Sequence, residues 1–448
     1  MKVEQIYDEA LAHASYAILS NNEIALVDPA RDPQPYFDFA KKNDAKIVAV
    51  FETHPHADFA SSHLELSQKL NIPVYINPKV GVSYEFTALE HGDVVKIGNA
   101  TIKTLFTPGH SPDHNSYLLI DEDGNDVAVF TGDSLFVGDV GRPDLREGAG
   151  NIQVSRQELA GMMYDTVNDI FSELEDGVKV YPAHGPGSLC GKNMSPDRHS
   201  TIGKEKQNNW AFQIKEKDNF IDSYLEGQSF IPKYFPYEVD LNRNGAVSLK
   251  ESINKALTFI DLDQLEENSI VIDVRPEATF KKSHIAGAIN IQMNSETAKF
   301  ETWLGSIVGP DEAYYLAVDS KEEGEKAVRR AAKIGYETQI KGVVLLDGQE
   351  GLENETGLDL AHFKKHPEEY TIVDIRNTSE VDDGKFFDNA INIPLPELRE
   401  RTNEIDTNKP IVVHCAGGYR SAAGASIVAN AKDGIEVYDL SEAINDFK

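Results

Sequence analysis

The sequence predicts an α/β protein of several domains, and two observations carry that prediction. Apolar, strand-like runs at 117–120, 127–130 and 178–181 each lead into a loop rich in Gly, Pro or Asp. Further along one phrase recurs, Ile270-Val271-Ile272-Asp273-Val274-Arg275 and Ile372-Val373-Asp374-Ile375-Arg376. Each copy is an apolar strand ending in Asp-x-Arg, followed by alternating helical and strand patterns. At 448 residues the chain is too long for one core and fits about three domains of ~150 residues each.

The first region carries chemistry at its strand ends. Thr53-His54-Pro55-His56-Ala57-Asp58-Phe59 places two histidines and an aspartate at chelating spacing. A histidine in the last position would let such a segment help hold two metal ions and hydrolyse esters or lactams; Phe59 has no ligand atom. Further donors follow in order: His110 in Thr107-Pro108-Gly109-His110, Asp133 in Thr131-Gly132-Asp133-Ser134, and His184 in Pro182-Ala183-His184-Gly185. Loops at the ends of rigid strands hold ligands in place. Structural histidines or a structural zinc would not require this ordered set.

The order His-x-His-x-Asp, His, Asp, His resembles the metallo-β-lactamase superfamily. That resemblance implies an αββα sandwich, with a first metal site of His54, His56 and His110 near or bridged by Asp133. The second site would use Asp58, the position of Phe59, and His184. Loss of one ligand argues for a single metal, and two His plus one Asp is the facial triad of non-haem Fe(II) oxygenases. The stretch 131–145, Thr-Gly-Asp-Ser-Leu-Phe-Val-Gly-Asp-Val-Gly-Arg-Pro-Asp-Leu, resembles the signature of persulfide dioxygenases. This implies one Fe(II) per chain on His54, His110 and Asp133, with His56, Asp58 and His184 orienting ligands or contacting bound water. It also implies that Arg142 and Asp144 meet the substrate. Cys190, six residues after His184, reads as a thiol relay or a site of oxidative inactivation, against an inert loop cysteine.

Composition narrows the partners. Lys+Arg 43 against Asp+Glu 74 gives a net charge of −31, which repels nucleic acid and anionic membranes. No basic stretch followed by an apolar core opens the chain, and no apolar run approaches the ~20 residues a membrane helix needs. Two cysteines, Cys190 and Cys415, do not make a disulfide scaffold, so a reducing cytoplasm is the expected compartment.

Residues 219–245 read as a connector packed against the first domain. Within it Asp240-Leu241-Asn242-Arg243-Asn244-Gly245, with Glu251 at the twelfth position, matches the letters of a calcium loop. The prolines of 231–236 argue against an entering helix, so a turn held by Asn side chains is expected.

The repeated phrases resemble rhodanese domains. In the second copy the strand 410–414 runs into Cys415-Ala416-Gly417-Gly418-Tyr419-Arg420-Ser421 and a small-residue helix pattern. Glycines let consecutive N–H groups turn inward at a helix N-terminus, an anion cradle that favours a thiolate. Arg420 offers a guanidinium for sulfite or thiosulfate oxygens, and Ala416, Gly417, Gly418 and Tyr419 line the substrate loop. The bland reading is a buried cysteine beside an ordinary Gly turn. In the first copy Asp319 takes the cysteine's place within an acidic loop, Asp319-Ser320-Lys321-Glu322-Glu323. A carboxylate cannot carry a persulfide, so this copy should be silent and architectural. The second copy also departs from the family at Gly384-Lys385-Phe386-Phe387-Asp388, where Gly-His-Ile-x-Gly is usual.

The whole chain resembles persulfide dioxygenase–rhodanese fusions. The expected layout is a metallo-β-lactamase-fold dioxygenase domain with connector over 1–245, a silent rhodanese-like domain over 246–352 and an active rhodanese domain over 353–448. The resemblance implies oxidation of a low-molecular-weight thiol persulfide by O2 to sulfite, then transfer of sulfane sulfur through Cys415 to sulfite. A homo-oligomer, dimer or tetramer, is expected from a repeat without chemistry. A thiolester hydrolase of the glyoxalase II type uses the same fold but needs the ligand Phe59 lacks. A non-enzymatic sulfur-binding scaffold would explain the silent repeat but not the Cys415 loop.

Overall fold

The computed structural model describes residues 1–146 and 153–448. The chain divides into two compact units, Met1–Leu249 with Lys333–Gly335, and Lys250–Ala332 with Tyr336–Lys448. Among the described residues no helix is long and apolar enough to cross a membrane.

In the first unit two six-stranded sheets face each other. One runs Lys2–Asp8, His13–Ser20, Glu23–Val27, Lys46–Phe51, Val74–Ile76, Thr87–Ala88; the other runs Ser200–Thr201, Lys179–Pro182, Asp126–Gly132, Asn115–Ile120, Ala100–Phe106, Val94–Ile97. Strand alternation decides which residue faces which layer. In the strand His13–Ser20, Ala14, Tyr16 and Ile18 join Phe51, Tyr117, Leu119 and Phe130 between the sheets. Ala17 points the other way, to Tyr36, Phe39 and Leu66 on the helices Gln34–Lys42 and His63–Leu70. Val129 and Leu118 of the second sheet likewise face Ala160, Met163 and Phe220 on the outer helices Arg156–Asp165 and Lys217–Leu225. Each fully buried ring between the sheets contributes about 2–3 kcal/mol. The arrangement is the αββα sandwich.

The connector differs from the sequence expectation. Residues 240–244 are not a turn but the end of a helix, Phe235–Asn244, which follows the helix Lys217–Leu225. Pro236 sits in the helix's first turn, where no N–H is needed and a fixed φ is helical. Arg243 pairs with the exposed Asp240 at 2.9 Å, and the helical backbone does not wrap these side chains around a cation.

The second unit holds two parallel sheets. The first is ordered Phe259–Ile260, Ile340–Leu345, Tyr314–Val318, Ile270–Asp273, Ile289–Asn290; the second Ile391–Asn392, Thr371–Asp374, Ile411–His414, Val437–Asp439. Parallel pairing with helical crossovers gives the two rhodanese-like open α/β domains. The Asp-x-Arg phrase is a clamp in both: Arg275 grips Asp273 and Arg376 grips Asp374, each at 2.7 Å for its shortest contact.

Candidate metal centre and thiol loop

The metal-type residues of the first unit converge at the ends of both sheets. His54 follows the strand Lys46–Phe51, His110 follows Ala100–Phe106, Asp133 follows Asp126–Gly132, and His184 follows Lys179–Pro182. The sheets are tied beside the site by Ala14 N donating to the Ala183 carbonyl at 2.7 Å and Gly185 N to the Ala12 carbonyl at 3.0 Å. Ligand atoms of His54, His110 and Asp133 lie within 4.8 Å of one another, and so do those of His56, Asp133 and His184, and of Asp58, His184 and Cys190. All of these residues are buried.

Outer contacts aim the ligands. The His110 Nδ1 side meets the Arg142 carbonyl at 2.8 Å, leaving Nε2 facing Asp133 at 3.7 Å. His54 Nδ1 meets Thr53 Oγ1 at 3.0 Å, while Thr53 N and Oγ1 donate to Asp28 at 2.7 and 2.9 Å. Asp28 also lies 3.2 Å from His56 Nε2. Its φ of 49° is an uncommon left-handed conformation for a non-glycine residue. Gly141 of the 131–145 stretch packs where a Cβ would sit 2.0 Å from the Asp133 carbonyl oxygen, so only glycine fits.

Neither carboxylate oxygen of Asp133 has a hydrogen-bond partner in the protein, and the same holds for His184 Nε2 and Asp58 Oδ1. Buried carboxylates whose nearest imidazole nitrogens stand 3.4–3.7 Å away are incompletely compensated, which is costly. A cation held by these side chains removes that cost, so the donor set fits a metal ion. Burial opposes a charged His184, but Asp58 and Asp133 outweigh it and push its pKa up to about 9 in the metal-free chain.

Phe59 is buried with its ring centroid 3.7 Å from that of His13 and 4.4 Å from that of His56. His13 is a site residue the sequence reading missed; burial, then the neighbouring His184 and His56, push its pKa well down. Asp28 was missed as well, although it stands at a strand end as the other acidic ligands do. Asn242, from the unexpected helix, donates to the carbonyls of His56 and Phe59 at 2.8 Å each and accepts from Ser61 N at 2.8 Å. It pins the whole His54–Phe59 loop.

Two expected roles stand in particular surroundings. Arg142 and Asp144 are paired: Nε and Nη2 of Arg142 bind the Asp144 carboxylate at 2.7 and 2.6 Å. Its remaining donors reach Ser229 and the Leu189 and Phe230 carbonyls, all 3.3 Å or closer. The pair anchors the loop that aims His110. Cys190 is buried, and desolvation, then the Asp58 and Asp133 charges, push its thiol pKa well up. A relay needs an accessible thiolate, and this environment opposes one.

In the second unit Cys415 follows the strand Ile411–His414 and is buried. Gly418 N donates to its Sγ at 3.2 Å, at the N-terminus of the helix Tyr419–Ala431. Gly418 has φ 102°, and a Cβ there would meet the Ser441–Glu442 backbone at 2.8 Å. Ala416 is half-buried and Gly417 exposed, so the loop opens on that side. Arg420 forms a two-pronged bond to Glu380, 2.7 Å on each arm. Burial works against the Arg420 charge, but the Glu380 bonds outweigh it, with Cys415 a further contributor. Glu380 had no sequence signal: its role appears only once the two loops are folded together.

Residues 8–170 match the model of the metallo-β-lactamase superfamily, and residues 261–349 and 359–448 each match that of the rhodanese-like domain. A solved metallo-β-lactamase from Staphylococcus aureus subsp. aureus COL is 30% identical, covering 77% of this chain and 98% of that one, with a TM-score of 0.67. ETHE1 from Myxococcus xanthus is 28% identical over 54% of this chain and 98% of that one, with a TM-score of 0.46. The hydroxyacylglutathione hydrolase of Dictyostelium discoideum is 30% identical across 54% of this chain and 85% of its own length. On this evidence the chain belongs to the metallo-β-lactamase superfamily, with two rhodanese-like domains in its second unit.

Proposed function

We propose that the chain oxidises a low-molecular-weight thiol persulfide with O2 and passes sulfane sulfur on to sulfite. The observation that carries this is the set of His54, His110 and Asp133, two imidazoles and one carboxylate, in a centre where Phe59 stands in the place of a ligand. Held by His54, His110 and Asp133, Fe(II) would supply the one-electron chemistry that O2 needs to react with sulfur. The protein's own part is orientation and exclusion of water. Arg142 and Thr53 aim His110 and His54, and the buried rings of Phe59 and Phe136 stand against His56 and His184. The balanced conversion is RSSH + O2 + H2O to RSH + sulfite + protons.

At the second site the Cys415 thiolate attacks the sulfane sulfur of a second RSSH molecule, whose S–S bond breaks as RS− leaves, and sulfite attacks the outer sulfur of the resulting Cys415 persulfide. The S–S bond to Cys415 breaks, thiosulfate leaves and the thiolate returns. Gly418 N–H and Arg420 stabilise negative charge on the sulfur and on the incoming anion.

A second reading, metal-dependent thiolester hydrolysis, has the hydroxyacylglutathione hydrolase similarity in its favour. Metal content and oxygen uptake of protein purified without O2 separate the two. About one iron per chain and persulfide-dependent O2 consumption are expected; Asp133→Ala should lose both. Two zincs with thiolester cleavage would favour the hydrolase, and an Asp133→Ala variant that keeps iron and O2 uptake would overturn the ligand assignment.

A further inference from the structure

The His54–His110–Asp133 set is buried, so a small molecule that reacts there must pass through protein. A cavity of about 150 Å3 ends beside it, walled within the first unit by Ile6, Leu11, Pro35, Tyr36, His13 and Phe59. The ring centroids of His13 and Phe59 are 3.7 Å apart; Phe59 also stands 4.4 Å from His56, and His13 5.6 Å from His184. One layer of rings thus separates the cavity from the metal-type residues. Most polar groups of the lining are already committed. Lys333 Nζ pairs with Asp8 at 2.6 Å, Arg31 Nη2 donates to the Val247 carbonyl at 2.8 Å, and Asp32 accepts from Gln34 N at 2.9 Å. Tyr36 Oη accepts from Ala30 N at 2.6 Å and shares a hydrogen bond with Ser15 Oγ at 2.7 Å. His13 Nε2 has no hydrogen-bond partner in the protein, but an ordered water needs about two to four polar partners, and the walls around it are Ile6, Leu11, Pro35 and Phe59.

We infer that this cavity is an antechamber for dioxygen, which collects against Phe59 before it enters the metal centre. O2 is uncharged and apolar, so it leaves water for apolar surroundings. A charged thiol carrier gains nothing from a lining whose cations are already paired, and loses its hydration there. The size fits as well, since an apolar cavity of roughly this volume binds xenon, an inert stand-in for O2. Phe59 then does more than withhold a ligand: it gives the cavity a hydrocarbon inner wall where a ligating side chain would present polar atoms. The inference rests on the reading of the centre as one that uses O2, and deepens it by giving the gas an approach of its own.

Leu11→Trp, made in the iron-loaded full chain, fills the cavity from a residue outside the donor set. Its kcat/KM for O2 should fall about tenfold, with kcat at saturating O2, the persulfide KM and the iron content unchanged. A fall in kcat/KM for the persulfide instead would give the cavity to the thiol carrier and overturn the proposal. Xenon reads the space without any chemistry and without the variant, which covers failure of Leu11→Trp to fold. Crystals of the parent chain under xenon pressure should show xenon in the cavity, and Leu11→Trp should lose it. A cavity that stays empty or water-filled under xenon overturns the antechamber, as does an unmoved kcat/KM for O2 in a folded Leu11→Trp. The two failures are separable: a parent without persulfide-dependent O2 uptake sinks the dioxygenase reading, whereas uptake without xenon in the cavity sinks the antechamber alone.

Discussion

The two repeats of the second unit share a parallel sheet and an Asp-x-Arg clamp, and differ in the loop that follows one strand. In the Asp319 repeat a single residue, Ser320, separates Asp319 from the helix Lys321–Ala332. Glu322 and Glu323 fill that helix's first turn. Glu323 accepts from Asp319 N at 3.1 Å, and Arg275 crosses to Asp319 at 3.0 Å. In the other repeat Ala416, Gly417 and Gly418 separate Cys415 from the helix Tyr419–Ala431, whose first turn has no acidic residue. Arg376 there donates to the Glu380 and Gly384 carbonyls instead. The two repeats thus share a scaffold, and the Asp319 copy has the shorter loop, with amides beside its helix satisfied from within.

The two repeats also touch. The segment 287–292 of the Asp319 repeat lies along the helix Tyr419–Ala431, where Tyr419 Oη donates to the Gln292 carbonyl at 2.6 Å. Asn290 N donates to Ser426 Oγ at 3.1 Å, and Asn430 reaches the Gly287 carbonyl at 2.8 Å. The helix that follows Cys415 in one repeat is held by the backbone of the other.

The largest break of this comparison is Cys415→Ser. Sulfur transfer should fall on the order of 10³-fold or more, because an alcohol neither ionises near neutral pH nor carries sulfane sulfur. Oxygen uptake should persist, with sulfite accumulating in place of thiosulfate; chromatography of both anions checks it. Thiosulfate at the parent's yield would remove Cys415 from the mechanism. Next is Gly418→Ala, whose φ of 102° and contact at 2.8 Å leave no room for a Cβ. A strain of about 1–3 kcal/mol corresponds to roughly a 5- to 150-fold loss of transfer, read beside circular dichroism to confirm folding.

How much of this could be read from the sequence follows from what each residue must satisfy. Metal ligands require particular residue types at strand ends, so His54, His110, Asp133 and His184 stand out from their neighbours. Cys415 stands out because its glycines announce the loop. Asn242 could not be read, since its partners lie 181 to 186 residues away and its local letters imitate a calcium loop. The helix around it was hidden by Pro236, a breaker anywhere but in a first turn. Arg142 looked available for substrate because a sequence does not show that Asp144 and Ser229 occupy its donors. Cys190 left a relay, a site of oxidative inactivation and an inert cysteine open, because its position near His184 is visible in sequence and its burial is not.

Tyr419→Phe probes the support from the silent repeat with one atom. It removes a single hydrogen bond to the Gln292 carbonyl, about 1 kcal/mol, and leaves the ring packed. Transfer should drop about fivefold with oxygen uptake unchanged. A variant indistinguishable from the parent in transfer would show that the catalytic helix does not depend on that contact.

The smallest expected effect is the most discriminating. Asp319→Cys, made in the Cys415→Ser background, places a thiol where the silent repeat has its carboxylate. If residue identity alone silenced this repeat, sulfur transfer would return in part. The geometry predicts none: Ser320 is too short a bridge to arch N–H groups over the sulfur, Glu322 and Glu323 repel an anion from the helix N-terminus, and Ser320 Oγ already accepts from Glu323 N at 3.2 Å. Arg275 would also lose its Asp319 partner while keeping Asp273, so folding should survive. Persulfide loading of the new thiol, followed by mass spectrometry and thiosulfate yield, decides the matter. Transfer above the Cys415→Ser background would show that the carboxylate, not the closed loop, is what silences the repeat.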